Sequence, residues 1–185
     1  MRPLFAALAL ALLVATAAAA QRAWNPELGI QGGFARVKPA GTRASDQVDL
    51  VDLPGFGLAP GLPGYGTLFA VIPLRGKVAI EPAISMLQFS LGGVIGGTGV
   101  HLGLRGDVAV TRGLYAAAGG TLGYSESGGG HDEQLGLQAA LGYRMHLSSR
   151  LNARVEALAN TLRQTARLRP ATVYAVLFGL SARLK

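Results

Sequence analysis

Apolar and polar residues alternate along most of this chain with a period of two. The clearest stretch runs from Gln134 to Leu147. There Leu135, Leu137, Ala139, Leu141, Tyr143, Met145 and Leu147 share one face, and Gln134, Gly136, Gln138, Ala140, Gly142, Arg144 and His146 share the other. Successive side chains of a β-strand point to opposite faces, so the pattern predicts a strand with one apolar and one polar side. Seven further segments alternate with varying strength: Leu28–Val37, Thr67–Leu74, Val78–Met86, Gly99–Val110, Leu114–Tyr124, Leu151–Asn160 and Val173–Leu184. No helical periodicity competes with them beyond the first twenty residues.

The connections carry a second signal. Those after the second, fourth and sixth segments are tight, at Arg75-Gly76, Thr111-Arg112-Gly113 and Ser148-Ser149-Arg150. Those after the first, third, fifth and seventh are longer, near 38–66, 92–97, 125–133 and 166–170. Short turns at one end and longer loops at the other are what an even-stranded membrane barrel shows, with both termini on the short-turn side. The predicted fold is therefore all-β: an eight-stranded antiparallel up-and-down transmembrane β-barrel.

Residue size decides which face looks outward. A solvated face is dense in Lys, Glu and Asp, whereas the polar face here is Gly and Ala with an occasional Arg, Glu, Asp, Gln, Asn or His. Small residues with a few charges suit the narrow interior of an eight-stranded barrel, which side chains just fill. The alternative is a soluble periplasmic lipocalin-like barrel, in which the apolar face would line a ligand cavity.

Composition fits the membrane reading. Charged residues make up 15% of the chain, against about 25% in soluble proteins. The first twenty residues read as a signal peptide: Arg2, an apolar run from Leu4 to Ala17, then the small residues Ala18-Ala19-Ala20. Cleavage before Gln21 leaves residues 21–185 as one barrel domain. There is no Cys, which rules out lipid attachment through cysteine and disulfides. The net charge of +7 is scattered over an exported chain, so nucleic acid is not an expected partner.

In pattern the sequence resembles the small outer-membrane β-barrel superfamily, which includes OmpA-type and OmpX-type eight-stranded barrels. The features that carry the resemblance are the signal peptide, the alternating strands, the loop lengths, and the stretch KVAIEPAIS, where such barrels carry an inward acidic residue, here Glu81. The resemblance implies a cell outer membrane location and contact with its lipid. Two features depart from it. Such barrels usually end in an aromatic residue, whereas this sequence ends Ala182-Arg183-Leu184-Lys185, and no peptidoglycan-binding domain follows the eighth segment within it.

Parity places Glu81, His101, Arg105, Asp107, Arg144, Arg154 and Glu156 in the lumen. Mixed signs there read as an internal network of ion pairs and hydrogen bonds, since unpaired buried charge is costly. A polar track for ions, as in a small pore, is the functional alternative. His146 shares that face. His131-Asp132-Glu133 follows Gly128-Gly129-Gly130 and reads as a solvated loop tip rather than a metal site. No Ser-His-acid constellation is evident, so neither a catalytic residue nor a cofactor is assigned; a lipid A-modifying barrel enzyme stays as a rival class.

Closure brings the first and eighth segments together, and with them Arg36, Lys38 and Arg43 near Arg163, Arg167 and Arg169. Arg36, Arg163 and Arg167 are candidates for bidentate contact with lipopolysaccharide phosphates; the plainer reading is that they snorkel into water. The expected work is non-enzymatic, either structural in the envelope or binding through outer loops. The extracellular partner is not legible, and the long first loop is compatible with either an adhesive surface or a lid.

Overall fold

The computed structural model describes residues 25–39, 48–52, 64–74, 76–91, 95–127, 130–163 and 170–184. The strands are β1 (Glu27–Pro39), β2 (Val48–Asp52), β3 (Gly64–Pro73), β4 (Val78–Leu91), β5 (Ile95–Ala109), β6 (Leu114–Ser127), β7 (Gly130–His146), β8 (Leu151–Leu162) and β9 (Ala171–Arg183). All pairings are antiparallel. Strand β1 is joined to β3, each following strand to its successor, and β9 returns to β1 over the whole of β1, from Glu27↔Arg183 to Pro39↔Ala171. Eight strands thus close a barrel.

The alternating faces settle as the membrane reading requires. Leu135, Leu137, Leu141, Tyr143 and Met145 of β7 are exposed, Leu137 at 73%, and so are Tyr174, Val176, Phe178 and Leu180 of β9. Glu81, Arg105, Asp107, Arg154 and Glu156 are buried. The soluble alternative, with these leucines around a cavity, is overturned by this arrangement.

Three tight turns define one end. Gly76 and Gly113 take positive φ of 70° and 87°, conformations that side-chain-bearing residues rarely adopt. The third turn has no glycine; Ser148 holds it instead, its Oγ accepting from the backbone nitrogens of Arg150 and Leu151 at 3.3 and 3.1 Å.

At the opposite end the strands run further than the pattern predicts. Residues 125–127 pair with 130–132, so most of the expected loop 125–133 is hairpin, and His131-Asp132-Glu133 lies within β7. The expected loop 92–97 is likewise shortened, because β5 already starts at Ile95, and β4 runs past Met86 to Leu91. Polar composition ends the membrane-facing stripe, but backbone pairing continues past it. The long first connection also contains a strand. β1 pairs with β3 only as far as Gln31↔Thr67, and β2 then takes over that edge of β1 from Gly33↔Asp52 to Val37↔Val48.

Wall bonding lapses at one height. The β3–β4 ladder passes from Phe69↔Ala83 directly to Ile72↔Ile80. The skipped registers face Glu81 and Pro82, and proline has no N–H to donate to a ladder.

Candidate functional site

The lumen is crossed by a lattice of charged side chains from β4, β5, β7 and β8, joined by polar ones from β1 and β6. Arg105 is its centre. Its guanidinium meets Glu156 with two parallel hydrogen bonds, Nη1–Oε1 at 2.7 Å and Nη2–Oε2 at 2.5 Å, and Nη2 also lies 2.8 Å from Oε1 of Glu81. A planar fork matched to a carboxylate is the geometry that makes Arg suited to buried pairs.

Arg154 completes Glu81, with Nη1 at 2.6 Å from Oε2 and Nη2 at 3.1 Å from Oε1. Its Nη2 also bonds Gln31, and its guanidinium lies 3.5 Å from the Phe69 ring centre. Tyr115 donates to Oε2 of Glu156 at 2.7 Å. Asp107 stands 3.4 Å from Nε of Arg105 and 3.6 Å from Nη2 of Arg144, within ion-pair range of both. Three carboxylates (Glu81, Asp107, Glu156) thus face three guanidiniums (Arg105, Arg144, Arg154).

Backbone register explains who reaches whom. Glu81 sits directly opposite Arg105 on the neighbouring strand. Arg144 sits opposite Arg154, a like-charge pair that would be destabilising if the two side chains stayed together. They diverge: Arg154 runs to Glu81, while Arg144 lies over the Tyr115 ring, 5.0 Å from its centre, toward Asp107.

Glycine makes the crossings possible. Tyr115, Gly142 and Glu156 form one row across β6, β7 and β8. A methyl group at position 142 would lie 2.4 Å from Cζ of Tyr115, so only glycine leaves the ring room to pass. Arg154 likewise passes over Gly179 to Gln31, where a Cβ would lie 3.1 Å from both side chains.

A second cluster lies at the turn end. Glu27 accepts from Asn152 Nδ2 at 2.7 Å and from Ser181 Oγ at 2.8 Å, and Arg183 Nε lies 3.5 Å from it. His146 Nδ1 is 2.5 Å from Asn152 Oδ1. His101, half-buried, lies higher on the inward face beside Gly123. Farther toward the loops, Thr67 and Ser85 share a hydrogen bond of 2.8 Å, and Asn160 donates to Thr121 at 3.3 Å.

At the loop end, Arg36 and Lys38 of β1 are exposed on the outer face, as is Arg163 just past β8. Arg36 lies opposite exposed Tyr174 on β9. Arg167, Arg43 and Arg169 lie outside the described residues. Among the described residues no cluster of three or more His, Cys, Asp or Glu is arranged to hold a metal, and no helix is long and apolar enough to cross a membrane.

No protein-family model matches the sequence, and no characterised protein matches it in sequence. Solved structures do match the fold. Neisserial surface protein A (NspA) superposes with a TM-score of 0.60 at 8% identity, over 86% of this chain and 97% of that one. Ail, the attachment invasion locus protein of Yersinia pestis, gives 0.54 at 12% identity, over 87% and 99%. Ail in complex with the heparin analogue sucrose octasulfate gives 0.51 at 13% identity, over 86% and 99%. The fold is that of a small outer-membrane β-barrel. Its outward apolar belt matches the hydrocarbon of a membrane, and outer membranes are where barrels of this build reside.

Within this barrel, several partners in the lattice are ones that sequence pattern passes over. Tyr115 and Phe69 stand in weakly alternating segments, and Glu27 lies one residue before the predicted first strand. Gln31, Asn152 and Ser181 are inward by parity, the one signal that marks them.

Proposed function

We propose that this is a non-enzymatic protein of the bacterial outer membrane that works at its outer rim, with a lumen that stays closed. The observation that carries the reading is the lattice itself: Arg105 and Arg154, both buried, tie β4, β5 and β8 together across the lumen through Glu81 and Glu156. A barrel plugged in this way has its interior committed to its own stability. In this reading residues 1–20 are an export signal removed before Gln21.

The rim chemistry favours phosphate- or sulfate-bearing glycans, foremost lipopolysaccharide. Arg36 and Arg163 are outward at the loop end, with exposed Tyr174 beside Arg36, and Arg167 belongs to the same expected set. The complex of Ail with a heparin analogue lends weight to polyanion binding on this fold.

Two measurements test the proposal. In planar bilayers the purified protein gives no steady single-channel conductance; a persistent open state would overturn the closed-lumen reading. Arg36→Gln, Arg163→Gln and Arg167→Gln together reduce co-purifying lipopolysaccharide several-fold, and unchanged lipopolysaccharide would overturn the rim assignment.

A further inference from the structure

The charge at the turn end of the barrel is one-sided. The turn stretches Leu74–Val78, Val110–Leu114 and Leu147–Leu151 contain no Asp or Glu. Each contributes an exposed cation: Lys77, Arg112 and Arg150. The acidic residues are elsewhere. Glu81, Asp107 and Glu156 are buried in the lumen and Glu27 is buried at its mouth, while the other six fall within 46–52 and 126–133, on the loop side. None of the three turn cations has a side-chain ion pair among the described residues.

Each of the three turns is also tied to the strand beyond it. The Lys77 carbonyl accepts from the Ala109 nitrogen at 2.8 Å, the Gly113 carbonyl from the Arg144 nitrogen at 2.7 Å, and the Arg150 carbonyl from the Arg183 nitrogen at 2.8 Å. Each turn is thereby pinned to the end of the next strand. Among the described residues one cation recurs every second strand, which spaces them roughly 10 Å apart around the rim.

Their depth follows from the flanking residues. Leu74, Val78, Val110, Leu147 and Leu151 are exposed apolar side chains that mark the edge of the hydrocarbon. The cations stand one to three residues beyond them, within about 10 Å, which is the headgroup layer. Long basic side chains at that depth extend toward phosphate. The turns are too short to project past the headgroups toward a protein partner.

We infer that Lys77, Arg112 and Arg150 form a phosphate-binding ring for anionic phospholipids of the leaflet at the turn end. This rests on the transmembrane reading of the barrel, and the ring is separate from the arginines of the loop-end rim. Its effect is to enrich negatively charged lipid around one end and to fix the height of the barrel in the bilayer.

The test uses the full barrel in nanodiscs of phosphatidylcholine with one part in about five of phosphatidylglycerol, a composition at which anionic attraction is appreciable. Lipid retained on release is counted by native mass spectrometry. The native protein retains phosphatidylglycerol above its share, and added salt lowers the enrichment. Lys77→Gln, Arg112→Gln and Arg150→Gln each lower it by up to about fivefold, and together they abolish it. Single substitutions keep three readings should the triple variant fail to close, and a heat-dependent gel shift certifies closure; loss of that shift in the native protein would instead indict the transmembrane reading. Equal enrichment in native and triple variant overturns the ring. So does a triple variant that keeps its lipid but no longer sediments with purified peptidoglycan, which would assign the cations to the cell wall.

Discussion

Tyr115 on β6 hydrogen-bonds Glu156 on β8 by passing over Gly142 on the strand between them, its hydroxyl 2.7 Å from the carboxylate. The contact skips a strand because the middle residue of the row has no side chain. It holds in place the same carboxylate that Arg105 grips with two hydrogen bonds. The lattice is therefore set as much by where side chains are missing as by where charges stand.

Substitution of that glycine follows directly. Gly142→Ala places a methyl group 2.4 Å from the Tyr115 ring and should destabilise the barrel by about 1–3 kcal/mol through overpacking. Gly106→Ala, with nothing within 4 Å of the new methyl, should change little. Equilibrium urea unfolding in micelles compares the two.

Arg105→Met removes the cation shared by Glu81 and Glu156 and leaves buried negative charge behind. A loss of about 3–5 kcal/mol is expected. Adding Glu156→Gln should recover part of it, with a coupling of about 0.5–3 kcal/mol in the double-mutant cycle. Strict additivity would mean that the pair does not act as a unit.

Leu141 faces outward on β7 between Leu135 and Met145, near the middle of the apolar belt. Leu141→Arg should cost about 2–4 kcal/mol when the barrel is in a bilayer. Gln138→Arg, on the inward face three residues away, should depend on lumen packing and respond far less to lipid thickness. Unfolding in vesicles of two chain lengths separates them.

Tyr115→Phe keeps the ring over Gly142 and deletes only the hydroxyl. A hydrogen bond to a charged acceptor contributes about 1.5–3 kcal/mol, and Arg105 still satisfies Glu156, so the lower part of that range is expected. A loss as large as that of Arg105→Met would show that the tyrosine, and not the arginine, holds the carboxylate in place.

Which residues face inward was legible because a strand's period is two and one face of a membrane barrel must be apolar. Leu137 and Gln138, Leu104 and Arg105 separate on that rule alone. Which inward residues meet was not legible, since partners depend on the register between strands, and alternation carries no register. Arg144 and Arg154 are equivalent in pattern, yet one reaches Glu81 and the other Asp107. Gly142 and Gly179 read as filler for a narrow lumen, whereas they are gaps that larger side chains cross. The strand ends were misread for a different reason: Ser125 and Asp132 are polar because they stand outside the belt, and polarity does not stop two strands from pairing.

The break at Pro82 alters the meaning of its neighbour. Glu81 is where Arg105 and Arg154 converge, and it stands at the height where β3 and β4 are not joined by backbone pairing. The ion pairs then anchor β4 beside a missing stitch: where its pairing with β3 lapses, it is fastened to β5 and, through the interior, to β8 on the far side of the barrel. A barrel without the Glu81 carboxylate would lose part of its casing as well as its filling, and amide exchange should quicken first along that seam.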